Sequence, residues 1–230
     1  MAYIICLEGS TDTCSVALCF QDQVRQLEEK IESQNHSADV LPYITACLER
    51  EGISFTELAA VAISGGPGSY TGLRVVATTA KALCFAHQIP MIAINTLEIL
   101  SYSRPLEPET YLMPMVDARR DEVYMCVYDD QRNLLLNPTP MILEKEELPD
   151  FRGRKIHACG NGASKAVSLL NQHQIELGVS HTSAAYLATP AWNRFIHGEF
   201  EDIIHYSPFY IKEPNITVSK KNIFESNLKR

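Results

Sequence analysis

Apolar and polar positions along the chain fall into two successive patterns of similar layout. Tyr3–Leu7 and Cys14–Phe20 are rich in β-forming residues and flank a polar loop, Glu8 to Thr13. They predict a hairpin with an acid at the end of its first strand. Val24–Ile31 alternates imperfectly and predicts a third, more exposed strand. Val40, Ile44 and Leu48 then recur every four residues with Leu41 beside them, which predicts a helix with one apolar stripe. Pro42 is tolerable only in a first turn, so the helix is expected to start near Ser37 or Asp39. Gly52 ends it, and Ser54 with Glu57 forms a capping box for a short turn. Ala60–Ile63 predicts a strand, followed by a glycine loop and a helix to about His87. Pro90 breaks the chain, Met91–Ile94 is a short strand, and Asn95 caps a helix through Leu100. The order is βββαβαβα.

Arg104–Glu109 reads as a linker, after which the pattern restarts. Tyr111–Val116 is a strand ending in Asp117, a polar turn covers Ala118 to Glu122, and Val123–Tyr128 is the next strand. Lys155–Cys159 is a later strand entering Gly160-Asn161-Gly162-Ala163 and a helix to about Leu170. Ser183–His197 is helical, bent or started afresh at Pro190. Residues 213–230 are polar and aperiodic and read as a tail. Two halves that each open with an acid-tipped hairpin suggest a duplicated α/β fold with a cleft between lobes.

The stretch Gly65-Gly66-Pro67-Gly68-Ser69-Tyr70-Thr71-Gly72-Leu73-Arg74 has four glycines and a proline in eight residues. Such a loop turns tightly and lets something approach its backbone closely. A phosphate is one candidate, because the loop leads into a helix N-terminus. A P-loop needs Lys-Ser or Lys-Thr after its last glycine, whereas Leu73-Arg74 follows Gly72. A dinucleotide fingerprint would need glycine at Thr71. The alternatives are the backbone of a partner, or a sharp strand-to-helix turn and nothing more.

The tip Glu8-Gly9-Ser10-Thr11 could hold phosphate oxygens on backbone N–H groups, with the acid on a metal-bound water. Asp117 could face it from the other lobe. Either tip alone reads as turn formers; the two together make descent from an ATP cleft plausible. Metal chemistry finds little support: none of the seven histidines forms a His-x-x-x-His pair, and Val40 stands four residues after His36. Nucleophilic hydrolysis finds little either. Gly162-Ala163-Ser164-Lys165-Ala166 lacks the second glycine of an elbow, and Ser69 has no visible base. The helix after the glycine loop is rich in small residues (Ala77, Thr78, Thr79, Ala80, Ala82), with an apolar face of Val76, Ala80 and Leu83. That face either packs on its own sheet or docks on the helices of a partner.

Of the 230 residues, 46% are apolar, enough for a core, yet no apolar run reaches the roughly 20 residues of a membrane span. The N-terminus has no basic region and no cleavage site, and reads as a first strand rather than a signal peptide. Seven cysteines, none in a Cys-x-x-Cys pair, suit reduced core thiols and a cytoplasmic protein. The net charge of −8 is wrong for a freestanding nucleic-acid binder. A mild basic flavour is confined to Lys212, Lys220, Lys221, Lys229 and Arg230. If the protein acts on RNA, another subunit is expected to supply most phosphate contacts.

Several of these strings resemble one family in order and spacing. Ile5-Cys6-Leu7-Glu8-Gly9-Ser10-Thr11 with Cys14–Leu18, His36-Ser37 with Leu41-Pro42, and Gly66–Arg74 with Ala80-Lys81 are similar to the TsaB (YeaZ) family of tRNA threonylcarbamoyladenosine biosynthesis. So are Asn95–Glu98, Asp117–Arg120 with Glu122–Tyr124, Gly160-x-Gly162-Ala163 and Pro208-x-Tyr210. The match spans about residues 3 to 211. The resemblance implies an actin-like ATPase fold (ASKHA, ribonuclease H-like), α/β, in two duplicated lobes: a partner-binding lobe over 1–104 and a second over 105–212. The last helix of the second lobe could return to the first, and 213–230 is a tail outside the resemblance. It implies a non-catalytic scaffold that binds and stabilises TsaD and works with TsaE, reaching tRNA through the complex and forming a homodimer when alone. No membrane, metal or catalytic residue is implied, and no cofactor beyond weak or vestigial ATP or ADP binding. The partner surface is expected on helices 37–51 and 71–87 with the glycine loop: His36, Val40, Ile44, Pro67, Gly68, Ser69, Tyr70, Thr71, Arg74, Val76, Ala80 and Leu83. Leu41 and Leu73 are expected to hold the fold instead. The vestigial cleft is expected at Glu8, Ser10, Thr11, Asp117, Gly160 and Gly162. The family usually carries Asp-Thr where this chain has Glu8-Gly9, which weakens any nucleotide role. The rivals are an ATP-dependent small-molecule kinase or ATPase of the same fold and, further off, a metallopeptidase-like protein.

Overall fold

The computed structural model describes residues 2–31, 33, 35–142, 151, 154–166 and 174–212. The first half contains β1 (Tyr3–Glu8), β2 (Cys14–Phe20), β3 (Gln23–Lys30), α1 (His36–Glu51), β4 (Leu58–Ser64), α2 (Tyr70–His87), β5 (Met91–Ile94) and α3 (Thr96–Ser101). The second contains β6 (Thr110–Asp117), β7 (Glu122–Tyr128), β8 (Leu134–Ile142), β9 (Lys155–Cys159), α4 (Ala163–Ala166), β10 (Gln174–Leu177) and α5 (Ala188–His197). The first sheet runs β3-β2-β1-β4-β5, antiparallel through β3, β2 and β1 and parallel from β1 through β4 to β5. The second runs β8-β7-β6-β9-β10 with the same directions. One topology thus occurs twice in one chain, which is the duplicated ribonuclease H-like architecture of actin-like ATPases.

Strand periodicity divides the first lobe into two cores. Ile5 and Leu7 face α1 and α2, together with Val40, Ile44, Val76 and Ala80. Ile4 and Cys6 face the opposite layer, formed by Ile99, Leu187, Ala188 and Ala191. The last helix, α5, therefore lies on the first sheet, and residues 183–197 belong to the first lobe in space. Helix α3 joins the lobes. Ile99 packs under the first sheet, while Leu97 and Leu100 pack with Leu112, Val116, Cys126 and Cys159 of the second. Arg194 of α5 clamps Glu98 of α3 with bonds of 2.9 and 2.7 Å.

Several sequence expectations are amended. Helix α1 begins at His36, so Pro42 lies in its second turn, on the exposed side of the helix. Leu41 is 55% exposed and holds no core, whereas Leu73 is fully buried. The final helix restarts at Ala188, after a 3-10 turn over Ala184–Leu187, and Pro190 sits in its first turn, where no N–H partner is needed. Strands β8 and β10 are additions to the predicted elements. The predicted helix beyond Ala166, and the tail 213–230, lie outside the described residues. All seven cysteines are free and buried. Burial pushes the Cys14 thiol up to about 12 and those of Cys47 and Cys84 to about 11, so these act as core residues.

Candidate functional site

The C-terminal end of β1 delivers Glu8 into the tip of the first hairpin, where it is completely buried. Its Oε1 accepts from the Ser10 N–H at 2.6 Å, the Ser10 hydroxyl at 2.5 Å and the Thr182 hydroxyl at 3.0 Å. The Thr182 and Thr11 hydroxyls share a bond of 2.7 Å. Oε2 is buried with no hydrogen-bond partner among the described residues. Burial raises the pKa of this carboxyl, and the donors on Oε1 pull the other way. Two tip amides are spent internally, that of Ser10 on Glu8 and that of Gly9 on Ser64 Oγ at 3.3 Å. His36 Nε2 reaches the carbonyls of Thr11 and Thr13 at 3.1 and 3.2 Å. Both are acceptors, so this nitrogen carries the proton.

The glycine loop closes over this tip. The Ser69 N–H donates to the Ser10 carbonyl at 2.6 Å. A β-carbon on Gly68 would lie 2.1 Å from the Ser10 carbonyl oxygen, and one on Gly72 only 1.9 Å from that of Gly9. On its other side the loop meets the segment after α5. The Phe209 N–H donates to the Gly65 carbonyl at 2.7 Å, and a β-carbon on Gly66, where φ is +103°, would lie 2.3 Å from the Phe209 carbonyl oxygen. The group that approaches these glycines is the chain's own backbone, on both sides. The C-terminal segment is tied down further by Lys81 on the Tyr206 carbonyl (2.8 Å), by Tyr210 against Tyr70 (ring centroids 4.7 Å apart) and by Lys212 on Glu122 of the second lobe (2.5 Å).

The second hairpin tip is organised around Asp117. Its Oδ1 accepts from the Arg119 N–H at 2.6 Å and pairs with Lys165 at 2.5 Å, and its N–H donates to Asn161 Oδ1 at 2.8 Å. Gly160, at φ +92°, lets β6 pass close by: a β-carbon there would lie 2.1 Å from the Met115 carbonyl oxygen. The expected cleft residues thus form two sets, Glu8 with Ser10 and Thr11, and Asp117 with Gly160 and Gly162. Each set is completed by residues that sequence reasoning missed, Thr182 in the first and Lys165 with Asn161 in the second. Thr182 is 171 positions from Thr11, and nothing local marks it.

The expected partner surface needs correction. Val40, Ile44, Val76 and Ala80 are each 1% exposed or less and form the lobe's own core; Leu83 packs against that core, and Pro67 is buried. A stripe repeating at helical spacing marks the face toward the sheet, so it cannot also be the docking face. His36 is held by the tip carbonyls, Gly68 by close approach to Ser10, and Ser69 caps α2 through the Gly72 N–H at 3.3 Å. Tyr70 and Arg74 engage each other, and Thr71 is exposed. The outer face of the two helices carries Leu41, Thr45, Thr78 and Phe85, and Phe85 is 80% exposed.

The family model for TsaD, tRNA N6-adenosine threonylcarbamoyltransferase, matches residues 29–145, half of the chain. The "tRNA threonylcarbamoyladenosine biosynthesis protein TsaB" of Buchnera aphidicola (subsp. Acyrthosiphon pisum, strain APS) is 31% identical over 147 residues. The chain belongs to this family, in its TsaB (YeaZ) group. The Buchnera match covers 62% of this chain and 66% of that protein, just under two thirds of its length. The TsaB of Bacillus subtilis (strain 168) is 26% identical over 215 residues, covering 91% of this chain and 93% of that protein. The solved structure of YeaZ from Pseudomonas aeruginosa superposes with a TM-score of 0.77 at 25% identity, covering 91% of this chain and all of that one. The Glu8-centred tip is filled from inside by Ser10, Thr11 and Thr182.

Proposed function

We propose that this chain is a non-catalytic subunit of the assembly that transfers threonylcarbamoyl to N6 of adenosine 37 in ANN-decoding tRNAs. It binds and stabilises TsaD, with TsaE as a further component, in the cytoplasm, and pairs with a second copy when alone. The observation that carries this reading is the occupied hairpin tip. In an actin-like ATPase the tip amides would face phosphate. Here Ser10 and Gly9 donate to Glu8 and Ser64, and the glycine loop lies on the tip's carbonyls. The names of the relatives supply the pathway. A kinase or ATPase reading has the fold in its favour and this tip against it. No group of three or more His, Cys, Asp or Glu among the described residues could hold a metal. No described helix is long and apolar enough to cross a membrane.

The surface offered to TsaD is the outer face of α1 and α2, centred on Leu41, Thr78 and Phe85, with Thr71 and Arg74 at the loop end. Reconstitution tests the reading: purified TsaD, TsaE, ATP, threonylcarbamoyl donor and unmodified tRNA, with this chain present or omitted. Modification is expected only when it is present. Equal modification without it would overturn the assignment.

A further inference from the structure

Nearly every cation in the described residues has a partner. Each lysine and arginine other than Arg119 and Arg120 lies against an acid, a carbonyl or a ring. Arg119 and Arg120 are adjacent, exposed and, among the described residues, without a side-chain partner, at the tip of the β6–β7 hairpin. Both have left-handed backbones, with φ of 68° and 52°. Side chains with a β-carbon disfavour that region; glycine or asparagine would occupy it more easily. Neighbours hold the tip: Lys165 bonds the Arg120 carbonyl at 2.8 Å and Asp117 at 2.5 Å, and the Glu122 N–H returns to the Arg119 carbonyl at 3.3 Å.

The acids around the pair are largely taken. Asp117 is held by Lys165 and Glu122 by Lys212, which leaves exposed Asp121 as the one unpaired carboxylate of the turn. The ion pair at Glu122 also brings Lys212 to this tip. In a chain of net charge −8, Lys212 is thus a third described cation beside the arginine pair.

We propose that Arg119 and Arg120 form a phosphate contact for RNA, so that this chain touches the tRNA backbone directly at one point rather than only through its partner. The inference rests on the proposed function, which supplies the tRNA. Arginine is suited to bidentate binding of phosphate oxygens. Two such contacts on an acidic protein position an RNA that other subunits grip; they do not give standalone affinity.

The test uses the full chain assembled with TsaD and a fluorescently labelled, unmodified ANN-decoding tRNA transcript, with binding followed by anisotropy over a range of salt. The double variant Arg119→Asn, Arg120→Asn removes both charges and suits the left-handed backbone, so it is expected to fold. Its plot of log K against log salt is expected to be shallower by about 1.4 to 1.8, from roughly 0.7 to 0.9 for each phosphate contact. The Arg119→Lys, Arg120→Lys variant is expected to keep most of the slope, and capture of TsaD is expected to be unchanged by both. An unchanged slope overturns the inference. So does weaker TsaD capture with an unchanged slope, which would make the tip a protein contact. If the wild-type assembly binds and modifies tRNA while the slope stays put, this inference alone falls. If the wild-type assembly neither binds nor modifies it, the proposed function falls with it.

Discussion

Replacing Gly72 by alanine sets two physical effects against each other. Gly72 lies in the first turn of α2, and glycine is a poor helix former. By propensity alone, Gly72→Ala should stabilise the protein by as much as ~1 kcal/mol. The added β-carbon, however, would sit 1.9 Å from the Gly9 carbonyl oxygen, a backbone atom in a tip that is bonded on all sides. Relief to ordinary contact requires the tip and the helix to part by more than an ångström. That movement strains the Ser69 N–H to Ser10 carbonyl bond of 2.6 Å and the bonds that Ser10 makes to Glu8. Overpacking of this kind costs about 1–3 kcal/mol, and loss of one buried hydrogen bond about 1 kcal/mol more. Set against the propensity gain, the expected net effect is a destabilisation of about 2 kcal/mol. Urea unfolding followed by circular dichroism reads it directly, as a lower midpoint with an unchanged slope. A variant as stable as the wild type, or more so, would refute the claim that this loop is filled by the chain's own backbone.

Glu8 has a raised pKa because it is buried, so its contribution to stability is complete below its ordinary value of 4.5 and is lost as pH rises through the raised folded value. Glu8→Gln keeps an acceptor for Ser10 and Thr182 and removes the charge, so its stability relative to the wild type should climb from acid toward neutral pH; a flat or falling difference in urea midpoints contradicts the burial argument. Val76→Asp places a charge in the first lobe's core and should cost about 4 kcal/mol or more, whereas Phe85→Asp on the outer face should change the melting behaviour by at most about 0.5 kcal/mol while abolishing TsaD capture. Normal capture by folded Phe85→Asp would place the partner elsewhere.

The first lobe was legible because its periodicities are local. Short runs of β-forming apolar residues mark β1 and β2, and a four-residue repeat marks α1. Strand β8 was hidden by Pro138 and Pro140, which weaken any strand pattern; it survives because it lies at the sheet's edge, where missing N–H groups are tolerated. Strand β10 is another edge strand, only four residues long. The same stripe of Val40, Ile44, Val76 and Ala80 suits a sheet or a partner, and sequence alone could not choose between them. Exposed Leu41 and Phe85 look like ordinary apolar residues until their burial is known. The glycine loop posed a similar ambiguity, since glycine permits close approach without saying what approaches. Only the folded chain, bringing Ser10 from one side and Phe209 from the other, resolves it. The residues at Glu8 and Asp117 were visible as acids at strand ends; Thr182 and Lys165, which engage them, are brought there by tertiary structure.

The most direct measurement is calorimetric titration of the purified full chain with magnesium ATP, paired with assay of phosphate release. A hairpin tip whose Gly9 and Ser10 amides and one Glu8 oxygen are already engaged predicts no saturable binding below millimolar nucleotide and no turnover. Stoichiometric micromolar binding accompanied by hydrolysis in the lone chain would contradict it.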